Sequence, residues 1–279
     1  MAKSIIRMGL MVAAALGLGR MAVVMAESIA ELNPSQVIEL ARTSAEKAPV
    51  ISSVALDPRG RLLVTAGDDH LARLWDARAG QPMRRLVGHH DWVRAVAFSP
   101  AGGVLATAGN DRSICIWDLS DTSPARVVAE QVDGICALVF SPDGSLLAAG
   151  GFESRVRLYD ASTGTLIHAF PTAGGDIRAL AFSPDAHCLA AAGRCDRIRI
   201  WKTSSGQVLH DLTGQRLRVN ALAFSPDGAQ LASAGDERSV RIWSVARGEA
   251  VTVLPKRSGK IFSLAYCGPN RVAAGSSDN

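Results

Sequence analysis

Hydrophobic and polar residues alternate in short runs along most of this chain. Residues 92–98 read WVRAVAF, and alternation over such a length is typical of a β-strand with one buried face. A turn follows at 99–102. Shorter apolar runs at 104–107, 113–117 and 126–130 predict three further strands. The pattern therefore predicts a unit of four antiparallel strands.

This unit recurs with a constant spacing of 42 residues. A large ring closes the third strand of five repeats, at Trp75, Trp117, Tyr159, Trp201 and Trp243. A second series with the same spacing closes the first strand, at Phe98, Phe140, Phe182, Phe224 and Tyr266. Repetition at this length, with several short strands per unit, indicates a β-propeller in which each unit is one blade. We therefore predict an all-β fold of four-stranded antiparallel blades.

The turns between the first and second strands support this interpretation. Residues 141–144 and 225–228 both read Ser-Pro-Asp-Gly. Proline fixes the backbone angle of the turn, aspartate accepts backbone donors, and glycine permits a positive φ. These segments are therefore folding signals rather than binding loops.

Five repeats are complete, and the sixth stops after its second strand near Asn279. Half a blade would leave an open sheet edge and uncovered apolar surface. We therefore predict that the chain is a fragment of a longer, seven-bladed protein. The alternative is a natural short chain that closes by pairing with another copy or with its own N-terminus.

Short motifs in residues 50–279 resemble the WD-repeat family. The dipeptides Trp75-Asp76 and Trp117-Asp118 are the ones that name the family, and Gly88-His89 is similar to its Gly-His pair. The resemblance implies a propeller that binds protein partners and has no catalytic activity. It implies no cofactor.

The resemblance also implies a buried set of hydrogen-bonded side chains in the second blade, formed by His89, Thr107, Asp111 and Trp117. Such a set fixes strand register, because a buried polar group without a partner is costly. These residue types are similar to a Ser-His-Asp triad. A threonine buried in a strand and bonded to an indole is not available as a nucleophile, so the set is structural rather than catalytic.

The first 26 residues are predicted to be a signal peptide. Lys3 and Arg7 precede an apolar run at 8–19, and a Val-x-Ala site ends at Ala26. We therefore predict an exported protein, periplasmic or extracellular. The alternatives are an uncleaved membrane anchor, an organelle presequence, or a cytoplasmic protein. A membrane contact is expected only if this segment stays uncleaved.

Residues 27–49 form a polar connector before the first repeat. Within it, residues 35–42 are compatible with a short helix that begins at Asn33-Pro34. They are equally compatible with an outer strand that closes the last blade and protects its edge.

The net charge of +4 does not make the chain a nucleic-acid-binding protein. Lys3, Arg7 and Arg20 lie in the first 26 residues, and the remaining 27 basic residues face 26 acidic ones. Residues 27–176 carry 13 basic and 18 acidic side chains, whereas 177–279 carry 14 and 8. This polarity is expected to orient a charged partner, and the alternative is ordinary variation among the repeats. No aromatic-basic stacking motif for nucleic acid is present.

Sequence motifs for catalysis and metal binding are absent. No phosphate-binding loop, metalloprotease helix or nucleophile elbow occurs. The five cysteines form no Cys-x-x-Cys pair, so we expect free thiols and no zinc site. His89-His90-Asp91 is the one dense cluster of potential ligands, and its adjacent side chains point apart on an extended chain.

An enzymatic or ligand-binding site in the central channel is the alternative function. Such a site needs acidic, His or Tyr residues at channel positions. We assign those positions to the strand starts, which are all apolar: Val93, Ile135, Ile177, Val219 and Ile261. The pattern disfavours catalysis there.

One loop face is the predicted protein-binding surface. By the pattern of the family that the chain resembles, this face holds the loops from each fourth strand to the next first strand, and those from second to third strands. Trp92 and Phe152 are candidate anchors with arginines beside them, or else pack on a blade and cap a turn. The full candidate face is Trp92, Arg112, Phe152, Arg155, Arg194, Arg197, Arg216, Arg218, Arg238, Lys256 and Arg257. The members from Arg194 onward form a basic arc that suits an acidic protein segment, or are simply solvated charges.

Overall fold

The computed structural model describes residues 49–172, 174–194 and 197–277. These residues form 22 β-strands in six antiparallel sheets, and none of them is helical. Five sheets have four strands in sequence order, and the sixth has two. The prediction of a β-propeller with four-stranded antiparallel blades is confirmed.

The first three blades occupy the N-terminal half of the described chain. Blade 1 contains β1 (Ile51–Leu56), β2 (Leu62–Gly67), β3 (Leu71–Asp76) and β4 (Pro82–Val87). Blade 2 contains β5 (Val93–Phe98), β6 (Val104–Gly109), β7 (Ser113–Asp118) and β8 (Arg126–Glu130). Blade 3 contains β9 (Ile135–Phe140), β10 (Leu146–Gly151), β11 (Arg155–Asp160) and β12 (Leu166–Pro171).

The remaining blades continue the same order. Blade 4 contains β13 (Ile177–Phe182), β14 (Cys188–Gly193), β15 (Arg197–Lys202) and β16 (Val208–Thr213). Blade 5 contains β17 (Val219–Phe224), β18 (Gln230–Gly235), β19 (Val240–Ser244) and β20 (Glu249–Val253). Blade 6 contains β21 (Ile261–Tyr266) and β22 (Val272–Ser276).

The core lies between successive blades. In one cluster, Val64 and Leu74 of blade 1 pack with Leu105 and Trp117 of blade 2. Trp117 is 2% exposed. The closing ring of each complete blade is also paired with a leucine of its second strand, as Leu105 is with Trp117. Apolar faces that stack blade on blade therefore carry most of the burial, as in other repeat architectures.

A second contact joins blades at the opposite end from the candidate face. Residues 42 positions apart on the outer strands of blades 1, 2 and 3 each reach the loop between the third and fourth strands of the next blade, and these residues are Arg84, Arg126 and His168. Arg84 donates to the carbonyl oxygens of Asp118, Asp121 and Ser123. Arg126 repeats the contact one blade later, on the carbonyl of Thr163 at 3.3 Å.

Each first strand bulges at its second residue. Residue 94 is skipped in the pairing of β5 with β6, where Val93 opposes Gly109 and Ala95 opposes Ala108. A bulge leaves its extra residue unpaired and redirects its side chain. The same shift recurs near the start of every inner strand from β1 to β21.

In the five complete blades, the bulge brings two backbones so close that a side chain on the glycine opposite it would clash. A Cβ on Gly109 would lie 2.1 Å from the carbonyl oxygen of Trp92, closer than real Cβ contacts allow. Gly67, Gly151, Gly193 and Gly235 occupy the same position in the other complete blades. The recurring Ala-Gly or Gly-Gly at the end of each second strand is therefore a packing requirement.

The predicted signal peptide and most of the predicted connector, residues 1–48, lie outside the described residues. The closing-strand hypothesis for 35–42 lies there too. Among the residues that the structure does describe, no helix is long and apolar enough to span a membrane.

Candidate binding face around the central channel

The second blade contains the hydrogen-bonded set in full. The indole Nε1 of Trp117 donates to Thr107 Oγ1 at 2.8 Å. His89 lies between Thr107, 2.7 Å from its Nε2, and Asp111, 2.7 Å from its Nδ1. An ionised Asp111 only accepts, so Nδ1 of a neutral His89 donates to it and the Thr107 hydroxyl donates to Nε2. Each of the four side chains then has a hydrogen-bond partner within the set.

Other blades keep only parts of this set. Trp75 donates to Thr65 at 2.9 Å, and Trp243 donates to Ser233 at 2.7 Å. In blade 4 the equivalent position is Ala191, and the buried Nε1 of Trp201 has no partner among the described residues. The set therefore stabilises individual blades to different degrees.

The axis of the propeller is a cavity of about 340 Å³, lined by the inner strands. Each of the six blades contributes its bulged residue and the next one or two residues to the lining, and the bulged residues are Ser52, Arg94, Cys136, Arg178, Asn220 and Phe262. Our assignment of the channel to Val93, Ile135, Ile177, Val219 and Ile261 is wrong by one residue, because those side chains are at most 1% exposed, between blades. The bulge turns the following side chain toward the axis instead.

Two channel arginines stack with the two predicted aromatic anchors at one mouth of the cavity. The guanidinium carbon of Arg94 lies 4.9 Å from the ring centre of Trp92 and 5.7 Å from that of Phe152. The guanidinium carbon of Arg178 lies 5.1 Å from the ring centre of Phe152. We call these four residues the aromatic–arginine cluster. Trp92 is 37% exposed and Phe152 41%, so both rings keep accessible surface.

Neighbouring loops hold the cluster in place. Asn110 accepts a hydrogen bond from Arg94 Nε and donates its own backbone N–H to the carbonyl of Trp92. The backbone N–H of Phe152 donates to Gly134 O at 3.0 Å. A side chain on Gly134 would crowd the Phe152 ring at 3.1 Å, so this glycine makes room for the ring. The stacks are therefore supported from two blades.

The aromatic half of this cluster was predicted from the sequence, but Arg94 and Arg178 were not. The signal was present, because residues 94, 136, 178, 220 and 262 keep the 42-residue spacing. It was missed because simple alternation places the side chain of residue 93, not that of residue 94, toward the axis. The bulge reverses this assignment.

Comparison with known families identifies the repeat. A family model described as WD domain, G-beta repeat matches residues 39–76, 80–118, 164–202 and 206–244, more than half of the chain. The chain belongs to the WD-repeat family. A second model, described as Anaphase-promoting complex subunit 4 WD40 domain, matches residues 127–176. No curated protein matches the chain.

The two models together cover most of this WD-repeat propeller. The general repeat model does not match residues 119–163, which contain the first three strands of blade 3, and the closing ring of this blade is Tyr159 instead of tryptophan. There the phenol oxygen accepts a hydrogen bond from the amide of Gln131 at 3.3 Å, in place of the indole–hydroxyl bond. The first match begins at residue 39, before the first described strand.

The other predicted face residues lie at the same end of the WD-repeat blades but not in the cluster. Arg112 and Arg238 occupy left-handed turns with φ of 68° and 65°. Arg155 is exposed and lies 3.9 Å from the Glu153 carboxylate. Arg194, Arg216, Lys256 and Arg257 are exposed in loops, and Arg218 is partly buried beside the channel.

Acidic residues interrupt the basic arc. Arg197 lies 3.7 Å from the Asp211 carboxylate, and Lys260 lies 3.1 Å from that of Asp236. Glu237 accepts the backbone N–H of Arg216. The arc is therefore a mixed surface, and its charge is partly compensated.

Cys136 is the one cysteine among the channel-lining residues. Burial raises the pKa of its thiol, and the positive charges of Arg178, Arg94 and Arg218 oppose that rise. Burial also raises the pKa of Cys115 to about 12. The four described cysteines are free, and Cys195 lies outside the described residues. In the described part of the chain, no three His, Cys, Asp or Glu residues come together as a metal site.

Proposed function

We propose that this protein is a non-catalytic interaction scaffold that binds a protein partner on the loop face around the aromatic–arginine cluster. WD repeats generally mediate protein–protein contacts. The observation that carries the proposal is the pair of partly exposed rings, Trp92 and Phe152, held beside arginines at one mouth of the channel. Aromatic and arginine side chains dominate the binding energy of protein interfaces.

The channel lining favours binding over acid–base catalysis. Its bulged positions carry two arginines, an asparagine, a serine, a cysteine and a phenylalanine, and the residues that line the described cavity include no Asp, Glu or His. A general acid or base is drawn mostly from those residue types. The alternative, a binder of a small anionic ligand in the channel, draws on the same arginines.

Affinity capture of the full chain from its native host tests the scaffold proposal. We expect a protein to co-purify with the wild type and to be lost from the Trp92→Ala and Phe152→Ala variants, because both truncations remove contact area without breaking a hydrogen bond of the side chain. Binding of that protein to the purified chain is then measured by calorimetry.

Two triple charge-reversal variants, one on each face of the propeller, test which face binds the partner. Arg194, Arg216 and Lys256 are exchanged for Glu on the candidate face, and Arg61, Arg78 and Arg247 are exchanged for Glu in exposed loops at the opposite end. Only the first triple variant is expected to lose the partner. Equal binding by both triple variants and the wild type would show that the basic arc takes no part.

We also propose that the protein acts outside the cytoplasm, on the strength of the basic and apolar character of residues 1–26. Cell fractionation and N-terminal sequencing of the mature protein test this location. The expected first residue is Glu27. An intact N-terminus in a membrane fraction would favour the anchor instead, and a cytoplasmic product would contradict export.

A further inference from the structure

We propose that the channel mouth binds the carboxylate of an acidic side chain, presented by an extended segment of the partner and held between the guanidinium groups of Arg94 and Arg178. The proposal rests on the scaffold function above and specifies its partner. It differs from binding on the basic arc, because both arginines lie on inner strands and line the cavity.

The two guanidinium groups are held in fixed orientations. The Nε–H of Arg94 donates a hydrogen bond to the side-chain oxygen of Asn110. The Nε–H of Arg178 donates a hydrogen bond to the Asp176 carboxylate at 2.6 Å. The aromatic rings of Trp92 and Phe152 lie against their faces. Arginine side chains that are already ordered lose little conformational entropy when a ligand binds.

The outer nitrogens of both guanidinium groups remain open. Within the described part of the chain, the Nη atoms of Arg94 and Arg178 have no hydrogen-bond partner. Each group therefore offers Nη–H donors that match the two oxygens of a carboxylate. The side chain of Arg178 is 26% exposed, so its donors are partly desolvated but accessible.

The local charge is positive. The thiol of Cys136 interacts electrostatically with Arg94, Arg178 and Arg218. Three cations therefore lie around one point of the channel. Asp176 compensates one of them, and the partner of Arg94 is a neutral amide. An anion that enters the cavity therefore meets a net positive field.

The shape of the site favours one carboxylate over a polyanion. A cavity of about 340 Å³ accommodates one or two side chains and no folded domain. Asp91 precedes Trp92 in the chain, and Asp133 precedes Gly134, which lies against Phe152, so two carboxylates near the cluster repel a chain of phosphates. A peptide that inserts one acidic residue avoids this repulsion, and its neighbouring residues gain contact with Trp92 and Phe152.

Peptide binding to the purified full chain tests the inference. The probe is a pool of fluorescein-labelled ten-residue peptides with Asp or Glu at the two central positions, and its matched control carries Asn or Gln there. We expect fluorescence anisotropy to detect the acidic pool at concentrations below about 1 mM and the neutral pool at least about tenfold more weakly. Failure of the acidic pool to bind, or equal binding of both pools, would overturn the proposal.

Single variants locate the contact. Arg94→Gln and Arg178→Gln are each expected to weaken binding of the acidic pool by about tenfold or more. Arg247→Gln removes the same charge from an exposed loop at the opposite end of the propeller and is expected to change binding by less than about twofold. Circular dichroism checks that each variant is folded. The Arg178→Lys variant keeps the positive charge but lacks the planar fork of the guanidinium group. Wild-type affinity in both folded Gln variants contradicts the assignment.

Succinate and inorganic phosphate test whether the occupant of the channel is a small anion instead of an acidic peptide. If either small anion binds at the channel and the acidic pool does not, the occupant is a small molecule and the peptide proposal is wrong. The scaffold function is tested independently of the carboxylate site. If the partner captured through Trp92 and Phe152 still binds the Arg94→Gln and Arg178→Gln variants, the carboxylate site is wrong while the scaffold stands.

Discussion

The indole Nε1 of Trp243 donates to the hydroxyl of Ser233 at 2.7 Å, inside a core where Ser233 is fully buried. The equivalent pair in the preceding blade is Trp201 and Ala191, and there the indole N–H has no acceptor among the described residues. The same position thus satisfies the indole donor in blade 5 and leaves it without a partner in blade 4.

Ala191→Ser is expected to stabilise the protein by about 1 kcal/mol, because the new hydroxyl accepts the indole N–H of Trp201. The measurement is the free energy of unfolding in urea. Ala149→Ser is the matched control, since its blade closes with Tyr159, whose hydroxyl is already bonded to Gln131. No gain at Ala191, or the same change in both variants, would contradict the assignment.

Thr107→Val is expected to destabilise the protein by about 1–3 kcal/mol. The exchange removes the partner of both Trp117 and His89 while it keeps the branched shape of the side chain. Thr65→Val breaks a single described bond, to Trp75, and is expected to cost less. Chemical denaturation of the two variants gives the comparison, and a larger loss for Thr65→Val would refute it.

The blade architecture was predictable from the sequence because period, closing rings and turns all indicate the same unit. The positions of Trp92 and Phe152 on one face followed from the loop arrangement that the family resemblance implies. The channel lining was not predictable in this way. A bulge depends on how two strands pair in three dimensions, and an alternation pattern in one strand does not show that Arg94, and not Val93, faces the axis.

Arg84→Ala is expected to weaken the contact between blades 1 and 2 by about 1 kcal/mol. The side chain donates to three carbonyl groups of the next blade, including Ser123 O at 3.1 Å. Arg84→Lys should recover only part of the loss, since an ammonium group cannot span the three acceptors with a planar fork. Urea denaturation measures stability, and hydrogen exchange in residues 119–125 measures local opening.

Arg85→Ala is the control for this contact. Arg85 follows Arg84 on the strand, is exposed, and points to the opposite face. We expect its loss to leave stability and exchange unchanged. If Arg85→Ala and Arg84→Ala have equal effects, the loop contact contributes nothing specific.

Acid is expected to destabilise the propeller through its turn aspartates. Hydrogen bonds from Ser162 and Thr163 lower the pKa of Asp160 to about 2, and hydrogen bonds from Ser141 and Ser145 lower the pKa of Asp143. A carboxyl group with a lowered pKa in the folded state binds protons more readily when unfolded. Its stabilisation is therefore complete above the unfolded value of 3.8 and is lost as the pH falls toward 2.

The urea midpoint should fall steadily from pH 5 to about pH 2.5. Asp160→Asn keeps an acceptor oxygen but removes the titration, so its midpoint should fall less steeply than that of the wild type. A midpoint independent of pH in the wild type, or parallel curves for the two proteins, would show that these turns do not govern acid sensitivity.

Thiol labelling is expected to follow burial. Cys267 is exposed, whereas burial raises the pKa of Cys115 to about 12, and only the thiolate reacts with iodoacetamide. At pH 8 the native protein should therefore be labelled at Cys267 well before Cys115, as mapped by mass spectrometry of peptides. In urea both should be labelled at similar rates. Rapid labelling of Cys115 in the folded protein would mean that blade 2 opens locally, contrary to the packing of its third strand.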